Sequence, residues 1–342
     1  MPHEFPTPLG TVGEVKRSLS IKKVGINKLQ QAREAHPEYA APFNSPEFLE
    51  TLAAGYKGEL TVLNWDSGLI PLVIPPKKLG LLGSANRNSI RYVGVIHDEA
   101  SEIPQALSVL SHRLALMGIL DYRSSFAPAV QVDTSKLGKN AVATDNTTCV
   151  LPLDNLNSEG VSSTADKRMK EKARSAIKNG LEIRTATETD VTRHLPRLLA
   201  QAYERNGSVT SMPDALPQAL WNRHHKDSSV HMSAAYKDGE PVGVLVALTD
   251  TESAYSAWYT RTYDERFKNI PVLEALIAQM SKEAQEKGLK KYDLGGGTPG
   301  IIEFKKRMGA SPIPYAHIDI THSAGRIVRK TRDTLRQLKT RA

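Results

Sequence analysis

The stretch KYDLGGGTPGIIEFKKRMGASPIPY occupies residues 291–315 and combines three local signals. A short strand-like run leads into the triplet Gly295-Gly296-Gly297, and glycine permits turns and close backbone approaches that other residues resist. A helix is predicted from about Gly300 to Met308, and Gly309 ends it. The stretch therefore predicts a strand, a tight turn and a short helix. The glycines can expose amides at the helix start, where phosphates or carboxylates bind, or they can serve as a tight turn alone.

The residues before this stretch predict a mixed unit of helices and strands. Apolar residues recur at helical spacing over residues 167–179, and a second helix is predicted over residues 194–205. The run AAYKDGEPVGVLVALTD predicts a hairpin that turns at Asp238-Gly239, and the strand SAYSAWYT follows. Pro271 opens the next helix and Gly288 closes it.

The first half repeats this order of elements. A short helix over residues 28–35 precedes a helix capped by Asn44 or Ser45 with Pro46 at its first position. A hairpin over ELTVLNWDSGLIPLVIPPK, a strand over SIRYVGVI, a helix over residues 103–117 and a strand over residues 120–126 complete it. The same order recurs after about 180 residues, which indicates a duplicated unit.

This repetition predicts an α/β fold of two tandem domains, each with a mixed, mainly antiparallel sheet flanked by helices. We expect a loose N-terminal arm at residues 1–20, domains at residues 21–150 and 151–320, and a basic C-terminal helix at residues 321–342.

Composition excludes several classes of protein. No uncharged apolar stretch is long enough to span a membrane, and no signal peptide begins the chain, so a cytoplasmic location is expected. Cys149 is the only cysteine and is expected to be a buried structural thiol. His224, His225 and His231 match no zinc pattern and are expected at the surface, so no metal is predicted.

The net charge of +8 is concentrated in two segments. The predicted C-terminal helix contains seven basic residues against Asp333. The predicted helix at residues 167–178 contains six against Glu171: Lys167, Arg168, Lys170, Lys172, Arg174 and Lys178. Local basic patches indicate an anionic partner such as nucleic acid or a membrane surface, although solvated helix faces are the plain alternative.

The order of motifs APFNSPEF, KARSAIKNGLEI, YKDGEPVGVLVAL, AWYTR and KYDLGGGTPGIIEFKKRMG resembles the FemAB-like peptidyltransferases and related GNAT-like N-acyltransferases. The likeness covers roughly residues 40–320. It implies two tandem GNAT-like domains and, in Fem-type enzymes, an aminoacyl-tRNA donor. The Arg/Gln-x-x-Gly-x-Gly loop of acetyl-CoA enzymes is replaced here by RTYDERFKNIP, which has no glycine, so a standard coenzyme A site is doubtful.

The resemblance implies a catalytic pair, Phe304 and Lys305. A fixed cation stabilises the negative oxygen of the tetrahedral intermediate of acyl transfer, and an aromatic neighbour excludes water. Without the resemblance, Phe304 is a core residue and Lys305 a solvated helix residue. Asp293 is a candidate proton acceptor, with a structural hydrogen-bonding role as the alternative. We expect Lys305→Ala to reduce turnover while stability barely changes.

The resemblance also implies substrate-binding positions, which could equally be surface ion-pair residues. They are Tyr203, Arg205, Tyr259, Arg261, Gly295 and Gly296.

The resulting hypothesis is an amide-forming transferase that moves an aminoacyl group from aminoacyl-tRNA to an amine of a peptidoglycan precursor or peptide. An acyl-CoA-dependent N-acyltransferase acting on an amino sugar, polysaccharide precursor or metabolite is the alternative. Neither needs a permanently bound cofactor, because aminoacyl-tRNA or acyl-CoA serves as co-substrate. A non-catalytic module that binds nucleic acid or an anionic membrane surface is the rival class, and it predicts an occluded groove at Lys305.

Overall fold

The computed structural model describes residues 21–65, 68–76, 83–86, 91–207 and 212–323. The predicted arm at residues 1–20 and nearly all of the predicted C-terminal helix lie outside these residues. In the predicted hairpin turn Asp66-Ser67-Gly68, residues Asp66 and Ser67 lie outside them as well.

Helices and strands alternate along the described chain. The helices are α1 Asn27–Ala35, α2 Pro46–Gly55, α3 Ile103–Leu116, α4 Lys167–Lys178, α5 Leu195–Arg205, α6 Leu216–His224, α7 Val272–Glu286 and α8 Pro299–Arg307. The strands are β1 Ile21–Val24, β2 Glu59–Trp65, β3 Gly68–Ile74, β4 Gly83–Ala85, β5 Ile96–His97, β6 Ile119–Ser125, β7 Ala141–Pro152, β8 Leu181–Thr185, β9 Val230–Lys237, β10 Glu240–Thr249, β11 Ser253–Arg261, β12 Lys291–Asp293 and β13 Ser311–Thr321.

The strands form two sheets. One has the order β1-β2-β3-β5, and the other has the order β4-β6-β13-β7-β12-β11-β10-β9-β8. Only the pairs β4–β6 and β11–β12 are parallel among the described strands. The predicted α/β class with mainly antiparallel sheets is confirmed.

The long strands β7 and β13 connect the halves into one sheet. β13 lies near the end of the described chain, yet it pairs with β6 of the first half. It also pairs with β7 over ten residues, and β7 in turn pairs with β12. The sheet of the first half therefore continues into that of the second, and the predicted domain boundary near residue 150 remains a prediction.

The predicted start of α2, a capping side chain followed by Pro46, is confirmed. The Ser45 side chain accepts a hydrogen bond from the amide of Phe48 at 3.2 Å, and Pro46 occupies the first turn. Such a cap satisfies an amide that the helix itself leaves unpaired.

The predicted strand over SIRYVGVI is wrong for most of its length. Of the described residues in it, only Ile96 pairs in a strand. Tyr92 has a φ of 58°, in the left-handed region, which interrupts an extended chain. This backbone kink turns Arg91 and Tyr92 toward the second half of the molecule, where both contact Asp293.

Two hydrophobic cores lie on the sheets. The first includes residues of both halves, such as Phe43 and Phe48 from one and Leu198 and Leu220 from the other. The second contains residues of the second half together with Cys149 of β7, a fully buried thiol as predicted. A core shared by both halves makes their packing a condition of folding.

Helices α2 and α6 join the halves through a buried polar contact. The Nε2 atom of His224 lies 2.8 Å from the hydroxyl of Thr51, and its Nδ1 atom lies 3.1 Å from Asp227. His224 is buried, so its predicted surface position is wrong. The reason is that Thr51, distant in sequence, supplies the partner that makes burial of a polar ring tolerable.

We expect Gly55→Ala at the end of α2 to destabilise the protein. An added Cβ would lie 2.7 Å from the backbone Cα of Leu216 on α6, so the two helices would have to separate. Overpacking of this kind costs about 1–3 kcal/mol, which thermal or urea unfolding would detect. Gly300→Ala is the matched control, because nothing lies within 4 Å of its added Cβ. Equal stability of both variants would contradict the tight packing of α2 on α6.

Candidate active site

Lys305 lies on α8 and is buried, with 1% of its surface exposed. Its ammonium donates hydrogen bonds to the carbonyl oxygens of Gly295 and Gly296, at 2.7 and 2.6 Å. The Nζ atom also lies 5.5 Å from the centre of the Tyr259 ring. The alternative of a solvated helix residue is therefore wrong, because the turn at residues 295–297, here called the glycine turn, folds back over α8 and encloses the side chain.

Burial lowers the pKa of Lys305 to about 7, and the positive charge of Arg91 adds to the effect. Cys149 and Asp293 act in the opposite direction. The lysine can therefore gain or lose its proton close to neutral pH, which is unusual for this side chain.

Asp293, at the end of β12, is the centre of a buried network. Its Oδ1 atom accepts hydrogen bonds from the Arg91 guanidinium at 2.9 Å, from the amide of Gly295 at 2.7 Å and from the hydroxyl of Thr148. Its Oδ2 atom accepts one from the hydroxyl of Tyr92 at 2.6 Å. These four donors occupy the acceptor positions of the carboxylate, which favours the structural role that the sequence left open.

Sequence patterns did not single out Arg91, Tyr92 or Thr148 as members of this network. The available signal was an arginine inside the otherwise apolar run SIRYVGVI. An arginine in such a run needs a buried acidic partner, but the sequence does not show which carboxylate supplies it.

The glycine turn requires glycine at its first position. Gly295 has a φ of 78°, and an added Cβ would lie 2.6 Å from the Arg91 guanidinium. Gly296 is half-buried and Gly297 is exposed. Among the described residues, the amides of Gly296 and Gly297 donate no hydrogen bond. Since α8 begins at Pro299, these amides lie at the positive end of its dipole.

Of the other predicted residues, Tyr259 lies beside the Lys305 ammonium and Phe304 precedes Lys305 on α8. Tyr259, on β11, donates a long hydrogen bond of 3.4 Å to the carbonyl of Leu294, and burial raises its pKa. Phe304 is half-buried and packs against the second core. The structure thus brings Asp293, Gly295 and Gly296 together with the side chains of Tyr259 and Lys305. The Phe304 side chain packs on the second core instead.

The predicted arginines form a separate cluster. Arg205 and Arg261 both lie over the ring of Tyr263, at 4.8 and 5.6 Å from its centre. Arg261 also donates to the carbonyls of Lys268 and Ile270. Tyr203 is half-buried against the first core.

In the connection between β11 and α7, several backbone amides donate hydrogen bonds to acceptors of the same connection. The amide of Arg266 donates to Asp264, and the amides of Ile270 and Val272 donate to carbonyls within the same connection. Glu274, in the first turn of α7, is buried and pairs with Lys172 of α4 at 2.8 Å. A carboxylate of the protein thus lies at the helix end that would otherwise attract a ligand phosphate.

The basic helix α4 is exposed along its charged face, but several of its charges have partners. Besides Lys172, Arg174 pairs with Glu159 at 3.1 Å and Lys170 donates to the carbonyl of Ser163. Lys167 lies 3.9 Å from Glu171. Arg168 and Lys178 have no hydrogen-bonding or ionic partner among the described residues.

A cavity of about 910 Å³ lies between the halves. The first half contributes Glu38 and Ala41 to its lining, and the second contributes Tyr255 and Asp293. Neither Lys305 nor the glycine turn lines it. Asp293 is thus common to the cavity and to the network that holds the turn.

Residues 163–306, which include α4, the glycine turn and Lys305, match the family model of the acetyltransferase (GNAT) domain. The second half therefore carries an acyltransferase-type domain. The comparison with curated protein sequences found no match.

Solved structures extend the likeness to nearly the whole chain. The crystal structure of FemX is 14% identical, with a TM-score of 0.63 over 89% of this chain and 98% of FemX. A tandem GNAT protein from the clavulanic acid biosynthesis pathway is 12% identical, with a TM-score of 0.51 over 89% of this chain and 98% of that protein.

The chain has the tandem GNAT fold.

A third structure with this fold is the C-terminal domain of a putative lysylphosphatidylglycerol synthetase from Agrobacterium fabrum. It is 10% identical, with a TM-score of 0.52 over 91% of this chain and 97% of that domain. At the level of the fold, the resemblance to the FemAB-like, GNAT-like group is confirmed.

In the described part of this tandem GNAT chain, no helix is long and apolar enough to cross a membrane. The same residues contain no group of three metal-ligating side chains.

The burial of Lys305 changes the expectation that its replacement leaves stability intact. In Lys305→Met the carbonyl of Gly296 loses its described donor, at a cost of about 1–3 kcal/mol. The adjacent Lys306→Met is the matched control, because Lys306 is exposed and pairs only with Glu303. Chemical unfolding at pH 7 should show a loss for the first variant and almost none for the second.

The stability difference should also depend on pH. The folded chain releases the Lys305 proton near pH 7, whereas an unfolded chain keeps it until about pH 10.5. The unfolded state therefore binds more protons in this window, and the lysine's contribution to stability rises with pH. The free energy of unfolding of wild type minus that of Lys305→Met should increase from pH 7 to about pH 10. A difference that is constant with pH would contradict the low pKa.

Proposed function

We propose that this tandem GNAT protein is an amide-forming aminoacyltransferase. It moves an aminoacyl group from aminoacyl-tRNA to an amine of a peptidoglycan precursor or peptide. The observation that carries the proposal is the bonding of Lys305 to the carbonyls of Gly295 and Gly296, at the start of α8.

The hydrogen bonds of Lys305 suggest how its charge acts. The carbonyl of Gly295 shares a peptide group with the amide of Gly296, and the carbonyl of Gly296 shares one with the amide of Gly297. A cation on the carbonyl side polarises each peptide group and strengthens its amide as a donor. The two amides then hold the oxyanion of the intermediate, and Lys305 acts through them without touching the substrate.

The reaction needs no further group to balance. The acceptor nitrogen attacks the carbonyl carbon of the aminoacyl ester and forms the C–N bond. The C–O bond to the tRNA ribose then breaks, and the electron pair returns from the oxyanion as the amide forms. The amine loses one proton, and the departing ribose oxygen takes up one.

The β11–α7 connection supports an aminoacyl-tRNA donor over acyl-CoA. The amides of Arg266, Ile270 and Val272 donate to Asp264 and to carbonyls of the same connection, so these three are not available to a pyrophosphate. Glu274 adds a negative charge at the N-terminus of α7. Both features disfavour the phosphate binding on which a coenzyme A donor depends in this fold.

The donor is tested by incubating the full chain with charged tRNA and an amine-bearing precursor peptide, and separately with acetyl-CoA. Mass spectrometry should show an aminoacyl addition to the peptide in the first reaction only. Prior RNase treatment should abolish it. Transfer that survives RNase, or acetylation in the second reaction, would reject the tRNA-dependent reaction.

We expect Lys305→Ala to lower kcat by roughly 10² to 10³, because the oxyanion donors lose the charge behind them. Lys306→Ala should retain wild-type kinetics. In the wild type, the charged lysine is the active form, so kcat should fall as the pH rises through about 7. A kcat that rises through this range would mean that neutral Lys305 acts as a base. An increase in KM alone would mean that it only binds substrate.

The exposed charges of α4 suggest a contact with tRNA phosphates. Replacing Arg168 and Lys178 by glutamine should weaken tRNA binding and reduce the log–log salt slope by up to about 2, since each phosphate contact contributes close to one. Lys22 and Lys28, exposed on β1 and α1, provide a control pair of equal charge. Filter binding between 50 and 300 mM salt measures the slopes, and equal slopes for both variants would exclude α4 from the contact.

The enclosure of Lys305 favours one other candidate, a non-catalytic module that binds an anionic surface or nucleic acid. Such a module needs Lys305 only as a structural cation. It would bind tRNA or anionic vesicles equally well before and after Lys305→Ala. It would also give no product with either donor.

A further inference from the structure

We propose that Arg91, from the first half of the chain, is a positioning residue for the reaction centre in the second half. Its guanidinium fixes the turn at Gly295, to which Lys305 is bonded. This inference rests on the proposed function, and it gives the first half a part in positioning the reaction centre.

Arg91 lies at the point where two parallel strands cease to pair. Residues Ser253–Tyr255 of β11 pair with residues Lys291–Asp293 of β12. One guanidinium nitrogen donates to Asp293 at the end of β12, and the other donates to the carbonyl of Ser256, just beyond the paired part of β11. A single planar group thus sets the distance between the diverging strands.

The surroundings of Arg91 hold its charge in one place. Its side chain is 16% exposed and that of Asp293 is 6% exposed. The rings of Phe43 and Tyr92, both from the first half, lie 5.4 and 5.7 Å from the guanidinium carbon. A buried ion pair enclosed by aromatic rings has few alternative positions, so it transmits geometry well.

Three successive contacts lead from Arg91 to Lys305. Arg91 pairs with Asp293, Asp293 accepts the amide of Gly295, and the carbonyl of Gly295 accepts Lys305. The guanidinium also occupies the space that a Cβ on Gly295 would take. The position of the glycine turn therefore depends on Arg91 in two ways. Arg91 holds the carboxylate that accepts the Gly295 amide, and its guanidinium lies directly against Gly295.

Arg91 also influences the charge of Lys305. The groups that act on the ammonium are Arg91 from the first half, Asp293 on β12 and Cys149 on β7, with the Tyr259 ring of β11 beside it. Arg91 is the cation among them, and it opposes protonation of the lysine. Removal of Arg91 should therefore move the titration of Lys305 to higher pH, an effect that a purely structural arginine would not have.

The test uses the full chain with Arg91→Gln and Arg91→Lys. Arg91→Gln should lower kcat by about 10- to 100-fold with KM little changed, because misplacement of the reacting groups is costly. The fall of kcat with rising pH, its alkaline limb, should occur at higher pH in this variant than in the wild type. Arg91→Lys keeps the charge but cannot bond Asp293 and Ser256 with one planar group, so kcat should fall while the alkaline limb stays in place.

Arg123→Gln is the matched control. Arg123 pairs with Asp319 at 2.9 Å, also between a first-half strand and β13, but it contacts neither Asp293 nor Gly295. It should leave kcat and its pH dependence unchanged.

A measurement without turnover separates this inference from the proposed function. NMR of the chain labelled with ¹³C-lysine, assigned with Lys305→Arg, follows the titration of Lys305 directly. A higher midpoint in Arg91→Gln, and a wild-type midpoint in Arg91→Lys, support the inference even if no transfer is found. Where Arg91→Gln does not fold, Arg91→Lys decides through its kcat. Wild-type kcat in a folded Arg91 variant, or an unchanged midpoint in Arg91→Gln, overturns it.

Discussion

The carboxylate of Asp293 and its four donors form the constraint on which the centre of this molecule depends. The donors are Arg91 and Tyr92 in the segment before β5, Thr148 on β7 and the Gly295 amide in the glycine turn. One side chain therefore joins three segments. A buried carboxylate without such donors would be prohibitively costly, and each donor is therefore held in place by the others. The packing of the two halves and the shape of the turn follow from the same network.

Two cations lie on either side of the resulting turn. Arg91 neutralises Asp293, whereas Lys305 bonds only to uncharged carbonyls. The difference explains why the lysine, and not the arginine, has a labile charge near neutral pH. A guanidinium keeps its proton under almost any condition, so it suits a fixed position, while an ammonium in a dry site responds to its surroundings.

The order of elements, the class of the fold and the buried thiol at Cys149 were predictable from the sequence. Helix caps, apolar periodicity and turn residues are local signals, and they located α2, α4, α7 and α8 closely. The strand predicted over SIRYVGVI failed because a tertiary requirement, the reach of Arg91 and Tyr92 to Asp293, overrides the strand propensity of an apolar run. The burial of His224 was not predicted for a similar reason, since its partner Thr51 lies 173 residues away.

For the candidate site, the sequence by itself determined which residues of the second half gather at the end of β12: Asp293, the glycines and Lys305 follow one another in a single strand-turn-helix unit. It did not determine their environment. Only the tertiary structure decided that Lys305 is enclosed, that Asp293 is saturated with donors and that Arg91 enters from the other half. The physical reason is that spacing along the chain fixes local geometry, whereas burial and charge pairing depend on segments brought together when the whole chain packs.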